Sequence, residues 1–177
     1  MSVESTLPGL DRLISICRQH SLTLKLSPPE GSSPKRGVLV FGEPLDPQLA
    51  AVYQRLGAAD LGPLTLYGPT TQDEGLIPEN EWLRQDDVVQ FRSSLVFGCE
   101  TGFLFYFGTI PKLADAQGLQ PVIHIDSYEA PYAMPVASSV DRFFDAYSRY
   151  LELMVVDPEY VHHRVSRVDF PWHVRDI

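Results

Sequence analysis

The sequence contains only two cysteines, Cys17 and Cys99, among 177 residues. A disulfide framework, which needs several paired cysteines, is therefore not expected. The sequence also has no apolar run near the roughly 20 residues that span a bilayer. Its first residues, MSVESTLPGL, lack the basic and then apolar stretches of a signal peptide. These features predict a soluble protein of the cytoplasm with no membrane partner.

Basic residues are in the minority, since 14 Lys and Arg stand against 23 Asp and Glu, for a formal net charge of −9. Residues 1–41 carry a net charge of +2, residues 42–110 carry −7 and residues 111–177 carry −4. An acidic surface repels the phosphates of nucleic acids and attracts basic proteins. We therefore expect a basic protein partner and no direct nucleic-acid binding. The same charge can also serve solubility alone, and the composition does not separate the two explanations.

Motifs of catalysis and metal binding are missing as well. The sequence has no G-x-S-x-G, Walker loop, G-x-G-x-x-G, H-E-x-x-H or C-x-x-C pattern. His162, His163 and His173 lie in the tail without zinc spacing. Cys99 is the one candidate nucleophile, but its neighbour Glu100 should raise the thiol pKa. We predict no catalytic residue, metal or cofactor, with a small enzyme that uses Cys99 or dispersed carboxylates as the alternative.

Three segments carry apolar residues at helical spacing and are predicted to be helices. The first covers residues 10–17. The second begins at Asp46, an N-cap carboxylate that a proline follows, and ends at Gly57. The last begins after Ser138, where Asp141 would complete a capping box. These helices would lie at the start, near the middle and at the end of the chain.

The most strand-like segment extends from Phe91 to Ile110 and contains two aromatic runs, 95–97 and 103–107. Two glycines in the loop 98–102 between them predict a hairpin. The second run is apolar on both faces, which predicts a central strand covered on both sides. Shorter strands are predicted at 22–26, 64–67 and 122–125. Residues 68–80 are predicted to be a polar connection before a helical turn that Trp82 opens. This order predicts one α+β domain over residues 1–177, with a mainly antiparallel sheet packed against helices.

One segment interleaves acids with tyrosines directly after a predicted strand. It includes Asp126, Tyr128, Glu129 and Tyr132. Tyrosine is enriched at protein interfaces because it offers a large apolar contact together with a hydroxyl group. We therefore predict that these four residues, with Glu100 from the hairpin loop, face the partner. The alternative is a loop whose tyrosines pack back onto the core.

Three segments in order, SLVFGCETGFLFYF, QPVIHIDSYE and ASSVDRFFDAYSRYLELM, resemble the SMI1/KNR4 (SUKH) superfamily. The likeness covers about residues 42–156, with a helix and strand at 4–26 and a tail at 158–177 as additions. The resemblance implies a SUKH-like fold with a mixed sheet. It also implies a bacterial immunity protein that binds and neutralises a cognate toxin, often a nuclease or deaminase. A regulatory or scaffold domain of the same fold is the alternative.

Overall fold

The structure is a computed structural model that describes residues 6–31, 33–69, 75–100, 102, 105–127 and 132–157. These ranges contain helices and a large antiparallel sheet, so the predicted α+β class is confirmed. The helices are α1 (Pro8–Gln19), α2 (Pro47–Arg55), α3 (Leu76–Leu83), α4 (Val89–Ser93) and α5 (Val140–Val156). None of the helices in the described ranges is long and apolar enough to cross a membrane.

Seven strands form the main sheet and lie side by side in the following order. They are β1 (Leu24–Leu26), β4 (Ala59–Leu61), β5 (Leu64–Leu66), β6 (Leu95–Glu100), β7 (Phe105–Thr109), β8 (Val122–Asp126) and β9 (Tyr132–Ala137). A separate hairpin pairs β2 (Leu39–Val40) with β3 (Glu43–Pro44). All pairings within the main sheet are antiparallel, so the parallel component of the mixed sheet that the resemblance implied is not seen among the described strands.

The sheet has a buried cluster on each face. The larger cluster joins the sheet to α1, α2 and α5, and includes Phe97, Phe107 and Phe143. The smaller cluster joins the other face to α3 and α4 through Leu83 and Phe91. All five residues of β7 are buried, which confirms the prediction of a central strand covered on both sides.

The hairpin between β6 and β7 is displaced from its predicted position. β6 continues to Glu100 and β7 begins at Phe105, so the predicted loop at 98–102 lies largely within a strand. Gly98 serves a close approach between strands, because a Cβ there would lie 2.6 Å from the carbonyl oxygen of Thr65 on β5. A β-bulge lies between Val96 and Gly98. Gly98 therefore allows β5 and β6 to pack closely and does not form a turn.

The outer layer formed by α3 and α4 was predicted incorrectly. Helix α3 begins at Leu76, inside the predicted polar connection, and Trp82 lies near its end instead of opening a turn. Phe91, predicted to be in a strand, is in α4. Asn80 fixes this layer, because its amide accepts a hydrogen bond from Val96 N at 2.9 Å and donates to Val96 O at 2.7 Å. A single buried polar side chain thus joins α3 to β6.

Replacing Asn80 with leucine should lower the free energy of unfolding by about 3 kcal/mol, because the N–H and C=O of Val96 would be buried without a partner. Asn80 is completely buried, so water would not replace the amide. Urea unfolding of the variant beside Gln85→Leu, an exposed position on the same layer, measures the difference. Equal stability of the two variants would contradict the role given to Asn80.

The two helices at the ends of the described chain contact each other directly. Helix α5 has Ser139 as its N-cap, which accepts a hydrogen bond from Arg142 N at 3.4 Å. The predicted capping box is wrong in its position, because the N-cap is Ser139 and not Ser138. The Asp141 carboxylate accepts hydrogen bonds from the N–H groups of Gly9 and Leu10 at the start of α1. Asp141 therefore stabilises the N-terminus of α1 and connects the two helices.

Candidate functional site

Three of the predicted partner-facing residues lie in one row across the sheet. Glu100 pairs with Phe105, Phe105 pairs with Asp126, and Asp126 pairs with Tyr132. The structure therefore brings Glu100, Asp126 and the backbone of Tyr132 to the same end of three strands. Tyr128 and Glu129 lie outside the described residues.

Glu100 does not lie in an exposed hairpin loop, so its predicted position is wrong. It is the last residue of β6 and only 2% exposed. Its Oε1 accepts a hydrogen bond of 2.7 Å from the hydroxyl of Tyr147 on α5. Burial raises the pKa of Glu100 to about 7, and the hydrogen bonds of Tyr147 and Tyr150 only partly oppose that rise. A buried carboxyl with a raised pKa does not present a negative surface to a partner.

Asp126 is also buried, at 8% exposure, so it does not belong to a solvent-facing loop. It is the last residue of β8, two residues after His124 on the same side of the strand. His124 packs between the rings of Phe105 and Phe107 at centroid distances of 4.8 and 5.5 Å. Burial lowers the pKa of His124 to about 4, although the nearby Asp126 acts in the opposite direction. This end of the sheet is a buried polar cluster beneath α5.

Cys99, the candidate nucleophile, lies in β6 and packs against the smaller cluster near Tyr67. Burial raises the pKa of its thiol, and a hydrogen bond with Tyr67 opposes the rise only in part. A thiol with a raised pKa is a poor nucleophile. Within the described ranges there is no group of three or more His, Cys, Asp or Glu residues that could hold a metal ion. The tail with His162, His163 and His173 lies outside those ranges.

The most distinctive exposed surface is at the junction of α3 and α4, which we call the α3–α4 corner (residues 81–89). Trp82 is 61% exposed and Val89 is 60% exposed. Glu81, Asp86 and Asp87 are exposed beside them. An exposed tryptophan within a polar surround is typical of binding surfaces. The corner therefore carries exposed apolar and acidic side chains within nine consecutive residues.

Backbone hydrogen bonds hold the α3–α4 corner in one conformation. Gln85 N donates to Trp82 O and Asp86 N donates to Leu83 O, each at 3.1 Å. Arg92 on α4 donates to the carbonyl oxygen of Asp86 at 3.1 Å. A surface that is already ordered loses less conformational entropy on binding. An ordered corner of this kind would lose little conformational entropy in any contact it made.

The sequence contains a pattern that indicates the α3–α4 corner, but the predicted partner-facing residues did not include it. Leu76, Asn80 and Leu83 form the buried side of α3, and Trp82 lies on the opposite side of the same helix. Trp82 does not fall on the apolar stripe of this helix, and three acids lie within residues 81–87. This pattern indicates an exposed aromatic side chain in an acidic patch. Recognising it required α3 to be identified first, and the polar composition of 68–80 concealed that helix.

Neither a scan against protein-family models nor a search of curated protein sequences found a match to this chain.

Proposed function

We propose that this protein binds a basic protein through the α3–α4 corner and acts in the cytoplasm as the immunity protein that the SUKH resemblance implies, neutralising a cognate toxin. The observation that supports protein binding is the exposure of Trp82 and Val89 among three exposed acids. The toxin-neutralising role rests on the resemblance of the segments from 94 onward. The proposal moves the binding surface away from Glu100 and Asp126, because both are buried.

The charge and the aromatic residue would contribute to different parts of the binding reaction. Glu81, Asp86 and Asp87 create a negative potential that attracts a basic partner and increases the association rate. Trp82 supplies apolar area in the centre, which slows dissociation once water has been excluded. A toxin domain that binds nucleic acid is typically basic, so an acidic surface could occupy the same site on that domain. Neutralisation would then need no catalytic residue on this chain.

Truncating Trp82 to alanine should weaken binding of the partner about 30-fold or more, mainly through faster dissociation. Leu153→Ala is the matched control, because Leu153 is an exposed apolar residue on α5, across the sheet from the corner. The dissociation rates of both variants from an immobilised partner, recovered from native lysate, test the proposal. Equal losses in the two variants would contradict a binding surface at the corner.

Reversing the charge of Asp87 with lysine should slow association and reduce its dependence on salt, while dissociation changes less. Glu152→Lys makes the same change in net charge on α5, where Glu152 pairs with Arg12. That pair is half-exposed, so its loss should cost no more than about 1 kcal/mol and both variants should remain folded. If the two variants associate at the same rate, the acids of the corner do not guide the partner.

A further inference from the structure

Most exposed apolar side chains of the described residues belong to two neighbouring surfaces. Nine large apolar residues are exposed within the described ranges, and six of them lie on these surfaces. Two are in the α3–α4 corner. The other four lie on what we call the basic hairpin surface, formed by residues 35–41 with Lys112 and Leu113. These four are Val38, Leu39, Phe41 and Leu113.

The two parts of the basic hairpin surface lie next to each other, because β3 contacts the short 3-10 turn Pro111–Leu113. The strands β2 and β3 pair with each other, and Gln120 Nε2 donates a 2.7 Å hydrogen bond to the carbonyl oxygen of Pro44 in β3. Arg36 reaches the carbonyl oxygen of Gln117 at 3.5 Å. Leu39 and Leu113, on the two sides of this contact, are 64% and 63% exposed. Two segments distant in sequence therefore present apolar side chains together.

The charge of this surface is opposite to that of the protein as a whole. Lys35, Arg36 and Lys112 are all exposed on it. The nearby acidic side chains already interact with other groups of the protein. Glu43 interacts with Arg84, and Asp115 accepts hydrogen bonds from the backbone N–H groups of Gln117 and Leu119. The basic hairpin surface therefore combines apolar and basic side chains, although the whole chain has a net charge of −9.

The turn of the hairpin connects this surface to the α3–α4 corner. Phe41 has a positive φ of 52°, which an aromatic residue rarely adopts, and Gly42 follows with φ 79°. The guanidinium of Arg84, a corner residue, lies 4.2 Å from the centroid of the Phe41 ring. Strained backbone that the surrounding structure maintains is frequently found at functional sites. The basic surface and the acidic corner are therefore adjacent, with Phe41 and Arg84 at their boundary.

We propose that two copies of this protein form a dimer with two-fold symmetry, in which the basic hairpin surface of each copy binds the α3–α4 corner of the other. In a two-fold interface, a residue i that contacts residue j is repeated as j contacting i. Adjacent patches of opposite charge meet this condition, because rotation about an axis at their boundary places each patch against its complement. Lys35, Arg36 and Lys112 would then face Glu81, Asp86 and Asp87.

The dimer has a consequence for the proposed function. The α3–α4 corner is covered in the dimer, so a basic partner and a second copy compete for it. The dimer is then a resting form that releases monomer when the partner binds. This consequence rests on the proposed function, whereas the dimer itself rests only on the two surfaces.

The test is the molar mass of the purified full chain in solution, measured by light scattering over a range of protein and salt concentrations. We expect the 19.9 kDa chain to give a mass approaching twice that value as protein concentration rises, and added salt to favour the monomer. Lys35→Glu with Lys112→Glu should raise the dimer dissociation constant about tenfold or more, and so should Glu81→Lys with Asp87→Lys. Lys25→Glu, an exposed lysine on β1, is the control and should leave the constant unchanged.

A mixture of the two double variants decides whether the surfaces bind each other. In the mixed dimer, one contact joins the acidic hairpin surface of the first variant to the basic corner of the second, and the other contact is unchanged. Both contacts have complementary charges, so the mixture should associate more tightly than either variant alone. A monomer at every concentration, a dimer that neither double variant weakens, or a mixture no tighter than its components would overturn the proposal. The Lys35→Glu and Lys112→Glu variant retains the corner, so its binding to a basic partner tests the proposed function separately from the dimer.

Discussion

Replacing Gly9 with alanine should lower the free energy of unfolding by about 3 kcal/mol or more. A Cβ at this position would lie 2.1 Å from the carbonyl oxygen of Asp141 and 2.9 Å from the backbone nitrogen of Asp145. Both atoms belong to the backbone of α5, so no side-chain rotation can relieve the overlap. Moving α1 away would lengthen the hydrogen bonds from Gly9 and Leu10 to the Asp141 carboxylate.

Helix propensity alone predicts the opposite sign for this substitution, because alanine is favoured over glycine within a helix by about 1 kcal/mol. The overlap of the new Cβ with α5 costs more free energy than the helix propensity of alanine gains, so the substitution should destabilise the protein. Gly31→Ala is the matched control, since a Cβ at Gly31 would meet nothing within 4 Å. Urea unfolding should show Gly31→Ala close to the unchanged protein and Gly9→Ala far below it. A Gly9→Ala variant as stable as the control would contradict the close packing of α1 on α5.

Glu100→Gln should stabilise the protein at alkaline pH and have little effect in acid. Burial raises the pKa of Glu100 from 4.5 to about 7 in the folded state, so its contribution to stability is full below pH 4.5 and is lost as pH rises towards 7. Glutamine has a similar shape and carries no charge. At pH 8 the variant should therefore be more stable than the unchanged protein by up to about 3 kcal/mol, the free energy of a shift of this size.

The measurement is the free energy of unfolding of both proteins between pH 4 and pH 8. The difference between them should increase with pH through the interval from 4.5 to 7 and then level off. Glu152→Gln serves as the half-exposed control, and its difference from the unchanged protein should stay small at every pH. A Glu100→Gln variant that is less stable at pH 8 would contradict the raised pKa, because it would mean that the folded protein stabilises the charged carboxylate.

Local signals in the sequence were sufficient where a short segment determines its own structure. The carboxylate of Asp46 accepts hydrogen bonds from the N–H groups of Gln48 and Leu49, as the predicted N-cap of α2 requires. The aromatic run that became β7 needed only its apolar composition on both faces to be identified as central. Both predictions depend on residues that are close in sequence.

The orientation of Glu100 could not be predicted, because it depends on a bulge. In an uninterrupted strand, Leu95, Phe97 and Cys99 would share one face, and Glu100 would lie on the other. The bulge between Val96 and Gly98 reverses the alternation, so Cys99 contacts the smaller cluster and Glu100 faces α5. One extra residue in the strand thus moved the acid into the core.

The acidic surface was expected from composition, but its position was not. The segment around Asp126 was favoured because tyrosines alternate with acids there, but the structure places Asp126 in β8, where it is buried close to His124. The exposed position of Trp82 depends on Asn80, whose bonds to Val96 fix the orientation of α3. Contacts between residues 16 positions apart are not visible in a local sequence pattern.

Recovery of partners from native lysate tests the central claim most directly. The tagged protein and its Trp82→Ala, Asp87→Lys variant are incubated with equal amounts of lysate, washed at low and high salt, and the retained proteins are identified by mass spectrometry. We predict that the unchanged protein retains a stoichiometric basic protein at low salt, with a nuclease-like or deaminase-like domain, and that the variant loses it. Retention of no basic protein, or equal retention by the variant, would contradict binding through the α3–α4 corner.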